Sequence, residues 1–78
     1  MTRLEKLIER IKARPPDADL GDVQRLLEAF GYEKKRQKGS HVAFKKSGER
    51  TITMPIVGGR KVKRVYLDQI CELLGLDD

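Results

Sequence analysis

The chain has 78 residues, the size of one small domain, with 17 Lys and Arg against 12 Asp and Glu and a formal net charge of +5. Its single cysteine and single histidine exclude a disulfide framework and a metal site built from several His and Cys ligands. No apolar run approaches the roughly 20 residues that cross a bilayer. The N-terminus also lacks the apolar block of a signal peptide, so we expect a basic cytoplasmic protein.

Three segments show the apolar spacing i, i+3, i+4 and i+7 of an amphipathic helix. Pro15 ends the first because its ring disfavours helical geometry in the preceding residue. Asp19 is expected to cap the second, and Gly31 and Gly75 to end the second and third. The apolar positions are Leu4, Leu7, Ile8 and Ile11; Val23, Leu26, Leu27 and Phe30; and Leu67, Ile70, Cys71 and Leu74. We interpret all three sets as core, Cys71 as an inert thiol, and partner docking by the first helix as the alternative reading.

Between the second and third helices the apolar period changes to two, as expected for half-buried strands. Turn chemistry at Lys38-Gly39 and Ser47-Gly48 divides this region into three short strands. The predicted order is therefore α-α-β-β-β-α, an α+β fold with helices on one face of a three-stranded antiparallel sheet. With Val42, Phe44, Ile52 and Met54 facing the helices, the open face carries His41, Ala43, Lys45, Thr51 and Thr53.

The net charge conceals an asymmetry between two parts of the chain. Residues 33–64 contain 11 basic and two acidic residues, a net charge of +9, while the remainder sums to −4. A basic strand region on an acidic helical body indicates a polyanion-binding surface, the alternative being a solubilising charged face. Both phenylalanines fit the core pattern, so phosphate contact is favoured over base stacking.

The segment Lys38–Phe44 holds the residue best suited to proton transfer, His41. Beside cations, an imidazole base suits RNA cleavage, in which the ribose 2′-OH attacks phosphorus and no metal is required. The alternative is an exposed histidine without a role. Ser40 and His41 point to opposite faces of a strand and form no nucleophile–base pair. Gly58–Lys61 lacks the spacing of a nucleotide-binding P-loop, and is either a phosphate contact or a flexible connection.

These motifs resemble those of a known family. Gly39-Ser40-His41 followed by Phe44 is similar to the GSHxxF motif of HicA-type (YcfA) toxins. Thr51–Pro55 followed by Gly58–Lys63 resembles the second signature of that family, and residues 23–32 resemble its opening helix and strand. Two positions depart from the common pattern: Val57 replaces a second histidine, and Val65-Tyr66 replaces a Gly-Thr pair at the start of the last helix.

The resemblance implies a double-stranded-RNA-binding-domain-like fold and metal-independent mRNA cleavage by the toxin of a bacterial toxin–antitoxin pair, inhibited by a HicB-type antitoxin. We expect one domain over residues 1–78, with an extra helix at 1–15 before a HicA-like core at 19–76. The family's catalytic histidine falls on His41, and no cofactor or metal is expected. The expected RNA-binding residues are Lys38, Gly39, Ser40, Lys45, Arg60, Lys61, Lys63 and Arg64. The alternatives are an RNA-binding domain without catalysis and a protein-interaction module.

Overall fold

Residues 2–77 are described in the computed structural model, and they form three helices and five short strands. The helices are α1 (Arg3–Lys12), α2 (Leu20–Ala29) and α3 (Arg64–Leu74). The strands are β1 (Asp17–Asp19), β2 (Glu33–Lys38), β3 (His41–Lys45), β4 (Ile52–Pro55) and β5 (Lys61–Lys63). The predicted helices and the three-stranded meander are confirmed, and β1 and β5 were not predicted.

The helix ends follow from local chemistry. Thr2 and Glu5 form a capping box at α1, with each side chain accepting from the other residue's backbone N–H at 3.0–3.1 Å. The Asp19 carboxylate accepts from the Gly21 N–H at 3.1 Å, which confirms the predicted cap of α2. Gly31 (φ 94°) and Gly75 (φ 70°) adopt the left-handed conformation that was expected after α2 and α3.

The main sheet is antiparallel, with strand order β2-β3-β4. Val42 lies opposite Met54, and Phe44 opposite Ile52. Val42, Phe44 and Met54 are buried against the helices, whereas His41, Lys45, Thr51 and Thr53 are exposed. The predicted assignment of the two sheet faces is therefore confirmed, and the histidine lies on the face that the helices leave open.

A second, two-stranded sheet joins β1 to β5. Ala18 pairs with Val62 in its centre, and both are buried in the common core. Asp17 and Asp19 lie directly opposite Lys63 and Lys61, an arrangement in which opposite charges favour pairing across the strands. This small sheet attaches the segment between α1 and α2 to the segment that precedes α3.

Helix α1 packs on α2 and α3 through Leu7 and Ile11, which are buried, while Leu4 is 39% exposed. The predicted core role of this stripe is thus confirmed for Leu7 and Ile11, and Ile8 is partly buried against the core. Arg14 follows in a left-handed conformation (φ 54°) and binds the carboxylates of Asp68 and Asp77. Its guanidinium also donates to the Cys71 sulfur at 2.9 Å.

Cys71 is buried between α1 and α3 with no accessible surface, which confirms its reading as a core thiol. This burial raises the pKa of the thiol. Among residues 2–77, no helix is both long enough and apolar enough to cross a membrane.

Candidate active site

The β2–β3 turn brings the first candidate residues together. Lys38 and His41 pair across the strands and flank a two-residue loop, Gly39-Ser40. Gly39 has φ 59°, which a two-residue hairpin with glycine at its first position requires. A Cβ at Gly39 would meet no atom within 4 Å, so the demand for glycine here is conformational and not steric.

On the open face, side chains from the three strands form cross-strand rows. Lys38, His41 and Pro55 make one row, and Arg36, Ala43 and Thr53 make the next. Directly opposite residues in such a sheet have Cβ atoms about 4.5–5.5 Å apart. The side chains of Lys38 and His41 therefore start from neighbouring positions on the open face, and the His41 imidazole is exposed there.

A groove of about 450 Å³ runs over this face. Lys35, Arg36 and Lys38 of β2 form one side of it, and residues 41–43 lie at its floor. Thr51 and Thr53 line the other side. Of the expected site residues, Lys38 and His41 lie in the groove, and Gly39 and Ser40 form the turn between them.

Sequence reasoning did not select Lys35, Arg36, Thr51 or Thr53 as functional residues. Strand alternation had assigned Thr51 and Thr53 to the open face, and this was the sequence feature that could have marked them as groove residues. For Lys35 and Arg36 the signal was the basic composition of residues 33–64 alone, because residues 33–38 are uniformly polar and exposed and give no period from which to assign a face.

Lys45 lies on the same face as His41 but at the far end of β3, opposite Glu33. It lines a separate shallow hollow with Lys35, Gly31 and Ser47. Its position is therefore next to the groove and not within it.

The expected contact residues Arg60, Lys61, Lys63 and Arg64 lie on a different element. Val57 and Lys61 exchange backbone hydrogen bonds of 2.9 and 3.0 Å around a loop of Gly58, Gly59 and Arg60. The Arg60 carbonyl accepts from the Leu20 N–H at 2.9 Å, and the Arg64 Nε donates to the Pro15 carbonyl at 3.4 Å. None of the four lines the His41 groove.

One hydrogen bond relates this basic loop to the candidate histidine. The Ile56 N–H donates to the Ser40 carbonyl at 2.6 Å, next to the pairing of His41 with Pro55. Because Val57 follows immediately, the Val57–Lys61 hairpin starts at the same end of the sheet as the Gly39-Ser40 turn. A role for this basic loop in RNA contact stays a prediction.

Few of the cations in residues 33–64 are engaged inside the molecule. Lys35 forms an exposed ion pair with Glu33 at 3.0 Å, and Lys46 lies over the Tyr32 ring at 5.8 Å from its centroid. Within residues 2–77, the side chains of Arg36, Lys38 and Lys45 form no ion pair with a carboxylate. Such cations are free to meet an external anion.

Comparison with family models gives a match over residues 21–76 to the HicA toxin of bacterial toxin–antitoxin systems. The chain belongs to the HicA toxin family. Neither the curated proteins nor the solved structures that were compared with the chain gave a match. Family membership makes the chain the toxin of a toxin–antitoxin pair and implies a cognate antitoxin as its partner. Helix α1 and strand β1 precede the matched residues.

The two departures from the common HicA pattern have structural counterparts. Val57 is 37% exposed and uses its backbone to close the hairpin with Lys61. Helix α3 begins at Arg64, so Val65 and Tyr66 lie in its first turn, and Lys63 at the cap position makes no side-chain hydrogen bond to the helix. The cap position is thus Lys63, and the replaced pair does not stand where a capping hydroxyl would act.

Proposed function

We propose that this HicA-family protein is an endoribonuclease that cuts mRNA without a metal, with His41 as its catalytic residue. The proposal rests on the family and on one geometric observation, the pairing of His41 with Lys38 on an exposed basic groove. A proton acceptor next to a cation is the minimum that this cleavage chemistry needs.

The step we propose is an internal phosphoryl transfer. A His41 ring nitrogen takes the proton of the ribose 2′-OH, and the 2′-oxygen forms a bond to phosphorus as the bond to the 5′-oxygen breaks. The leaving 5′-oxygen receives a proton from water, so the products are a 2′,3′-cyclic phosphate and a 5′-hydroxyl. Lys38 stabilises the negative charge that develops on the phosphoryl oxygens.

Lys45, Arg60, Lys61, Lys63 and Arg64 are proposed to hold the RNA outside the groove. Their contribution is electrostatic, since a strand that neutralises phosphates with Lys and Arg releases its counterions. The Gly39-Ser40 turn is exposed and lets the RNA backbone approach the protein backbone closely.

The test is cleavage of a labelled single-stranded RNA in EDTA by wild type and by His41→Ala, purified in parallel. Because His41 is exposed, the variant should fold normally, which circular dichroism and thermal unfolding would check. We expect its cleavage rate to fall by about 10²-fold or more while its RNA affinity changes little. End-group analysis of the wild-type products should find the cyclic phosphate.

Equal cleavage by the two proteins would contradict the role of His41 and indicate another residue or a contaminating nuclease. Binding of RNA by both without cleavage by either would favour the alternative function, an RNA-binding domain without catalysis. An affinity that falls steeply with salt would separate both of these from a protein-interaction module.

For the partners, we propose mRNA as the substrate and a HicB-type protein as the antitoxin, both acting in the cytoplasm. The support is the family match together with the exposed basic face. Within residues 2–77, no group of three His, Cys, Asp or Glu side chains is arranged to hold a metal ion. The groove offers cations and hydroxyls instead, which suit a phosphodiester directly.

A further inference from the structure

Strand β2 contains an irregularity next to the candidate active site. Lys34 pairs with Phe44 and Arg36 with Ala43, so Lys35 is an extra residue without a partner in β3. Such a β-bulge interrupts the alternation of side chains, and bulges occur preferentially beside active sites, where they redirect a side chain.

The bulge changes which cations share a face. In a regular strand, two consecutive side chains point to opposite faces. Here Lys35 and Arg36 both line the groove, followed by Lys38 two residues further along β2. Lys34, by contrast, lies opposite Phe44, whose side chain is buried on the helical face. The bulge thus adds Lys35 to Arg36 and Lys38, which alternation already places on this side of the groove, and makes three cations within four residues.

The two sides of the groove differ in chemistry. The β2 side is cationic, and the opposite side presents the hydroxyls of Thr51 and Thr53. A sugar–phosphate strand fits this asymmetry, with its phosphates toward β2 and its ribose or base edges toward the threonines. The Cα atoms of Arg36 and Lys38 are about 6.7 Å apart along β2, from two residues of strand rise, which is similar to the separation of successive phosphates in an extended nucleic-acid strand.

Internal contacts compete little for these cations. The ion pair of Lys35 with Glu33 joins two side chains that are 56% and 71% exposed, and pairs of this kind contribute little to stability. Arg36 forms no salt bridge with another residue in the range 2–77 and presents a planar guanidinium suited to two-pronged phosphate binding.

We propose that the Lys35 bulge builds a phosphodiester subsite beside His41, and that Arg36 positions the RNA there by holding a phosphate next to the one that is cut. This inference rests on the proposed function, since it assumes that RNA occupies the groove. Lys35 and Arg36 thereby fix the position of the RNA in the groove, whereas the other cations of the basic face attract RNA without positioning it.

Strand β2 supplies its own matched control in Lys34, a cation two residues from Arg36 on the other face. In the His41→Ala background, where RNA stays intact, Arg36→Ala should raise the Kd for a short single-stranded RNA by about tenfold or more. Lys34→Ala should raise it by less than about threefold. Arg36→Lys should recover part of the loss, because Lys keeps the charge and loses the two-pronged geometry.

The bulge itself is tested by deleting Lys35. The deletion leaves Lys34 opposite Phe44 and Arg36 opposite Ala43, so it removes only the extra residue. Lys35→Ala keeps the bulge and removes its charge. We expect the deletion to weaken RNA binding more than Lys35→Ala does, because it also removes the bend and the added twist that a bulge gives to the strand next to Arg36. In proteins that retain His41, Arg36→Ala should raise KM and also lower kcat, since a misplaced strand reacts poorly.

Equal losses of affinity in Lys34→Ala and Arg36→Ala, with RNA binding otherwise intact, would overturn the subsite and leave the proposed function standing. Equal effects of the Lys35 deletion and Lys35→Ala would overturn the role of the bulge. If wild type neither binds nor cuts RNA, the proposed function fails, and this inference fails with it. Thermal unfolding of each variant would show whether a loss reflects instability.

Discussion

The two sheets of this protein place their cations in opposite surroundings. In the β1–β5 sheet, Lys61 and Lys63 lie directly opposite Asp19 and Asp17. In the β2–β3 hairpin, Lys38 and Arg36 lie opposite His41 and Ala43, which carry no negative charge. Of the cations in residues 33–64, Lys61 and Lys63 therefore have an aspartate opposite them, whereas Arg36 and Lys38 do not. Lys35, which shares the groove with these two, forms an exposed ion pair with Glu33.

A count of charges along the chain therefore does not measure the electrostatic field at a site. A cation opposite a carboxylate attracts a phosphate less than a cation opposite a neutral residue, because the carboxylate repels the same phosphate. The same charge pattern flanks the buried Ala18–Val62 pair, and opposite charges across two strands favour the pairing of β1 with β5.

The largest effect should come from the core that supports each sheet. Phe44→Ala removes a fully buried ring behind the open face and should lower the free energy of unfolding by about 3–5 kcal/mol. Val62→Ala behind the β1–β5 sheet removes less volume and should cost about 2 kcal/mol. Urea unfolding followed by circular dichroism measures both.

Ala43→Ser on the open side of β3 is the control, with an expected change below about 0.5 kcal/mol. If Phe44→Ala does not fold, Phe44→Leu should show a smaller loss in the same direction. A larger loss for Val62→Ala than for Phe44→Ala would mean that the small sheet, not the main one, dominates stability.

A comparison of Lys38→Ala with Lys61→Ala tests the two charge environments directly. Each variant removes one positive charge, but Lys38 faces His41 and Lys61 faces Asp19. We expect Lys38→Ala to weaken RNA binding by about tenfold, and Lys61→Ala to weaken it by about two- to threefold. Fluorescence anisotropy at several salt concentrations gives both the affinity and the salt slope. Equal losses would show that the opposing aspartate does not matter.

The smallest effect concerns alkaline pH and the core that both sheets share. Burial raises the pKa of Cys71 above the usual value for a thiol, and burial similarly raises the pKa of Tyr32. As pH rises, the unfolded chain releases each proton before the folded chain does, so the contribution of Cys71 is full below about pH 8.5 and that of Tyr32 below about pH 10, and each is lost as pH rises further. Thermal unfolding should show Tm falling as pH rises above about 8.5, and less steeply for Cys71→Ala than for wild type.

The helices and the open face could be predicted because each has a buried side. Leu26, Leu27 and Leu67 repeat at helical spacing, and Val42 and Phe44 alternate, since both patterns record contact with the core. The exposed position of His41 followed from the same alternation. A segment that packs on the core therefore shows a periodic pattern of apolar residues in the sequence.

The bulge in β2 and the β1–β5 sheet produce no such periodic pattern. Strand β2 is exposed at every position, so an extra residue at Lys35 disturbs no apolar pattern. Strand β1 has only three residues, two of them aspartates, which strands seldom contain. Its pairing with β5 joins segments that are far apart in the sequence. Arg60, Lys61, Lys63 and Arg64 lie in or beside β5, outside the His41 groove.

The ion pairs of Arg14 bear on how α1 and α3 unfold locally. By binding Asp77 it closes a ring of chain between two residues that are 63 positions apart, and by binding Asp68 it secures α3 inside that ring. Neither α1 nor the end of α3 can separate without releasing the same guanidinium. We therefore expect their backbone amides to show similar protection in hydrogen exchange, and Arg14→Ala to separate the two, although α1 lies before the family-matched residues and α3 within them.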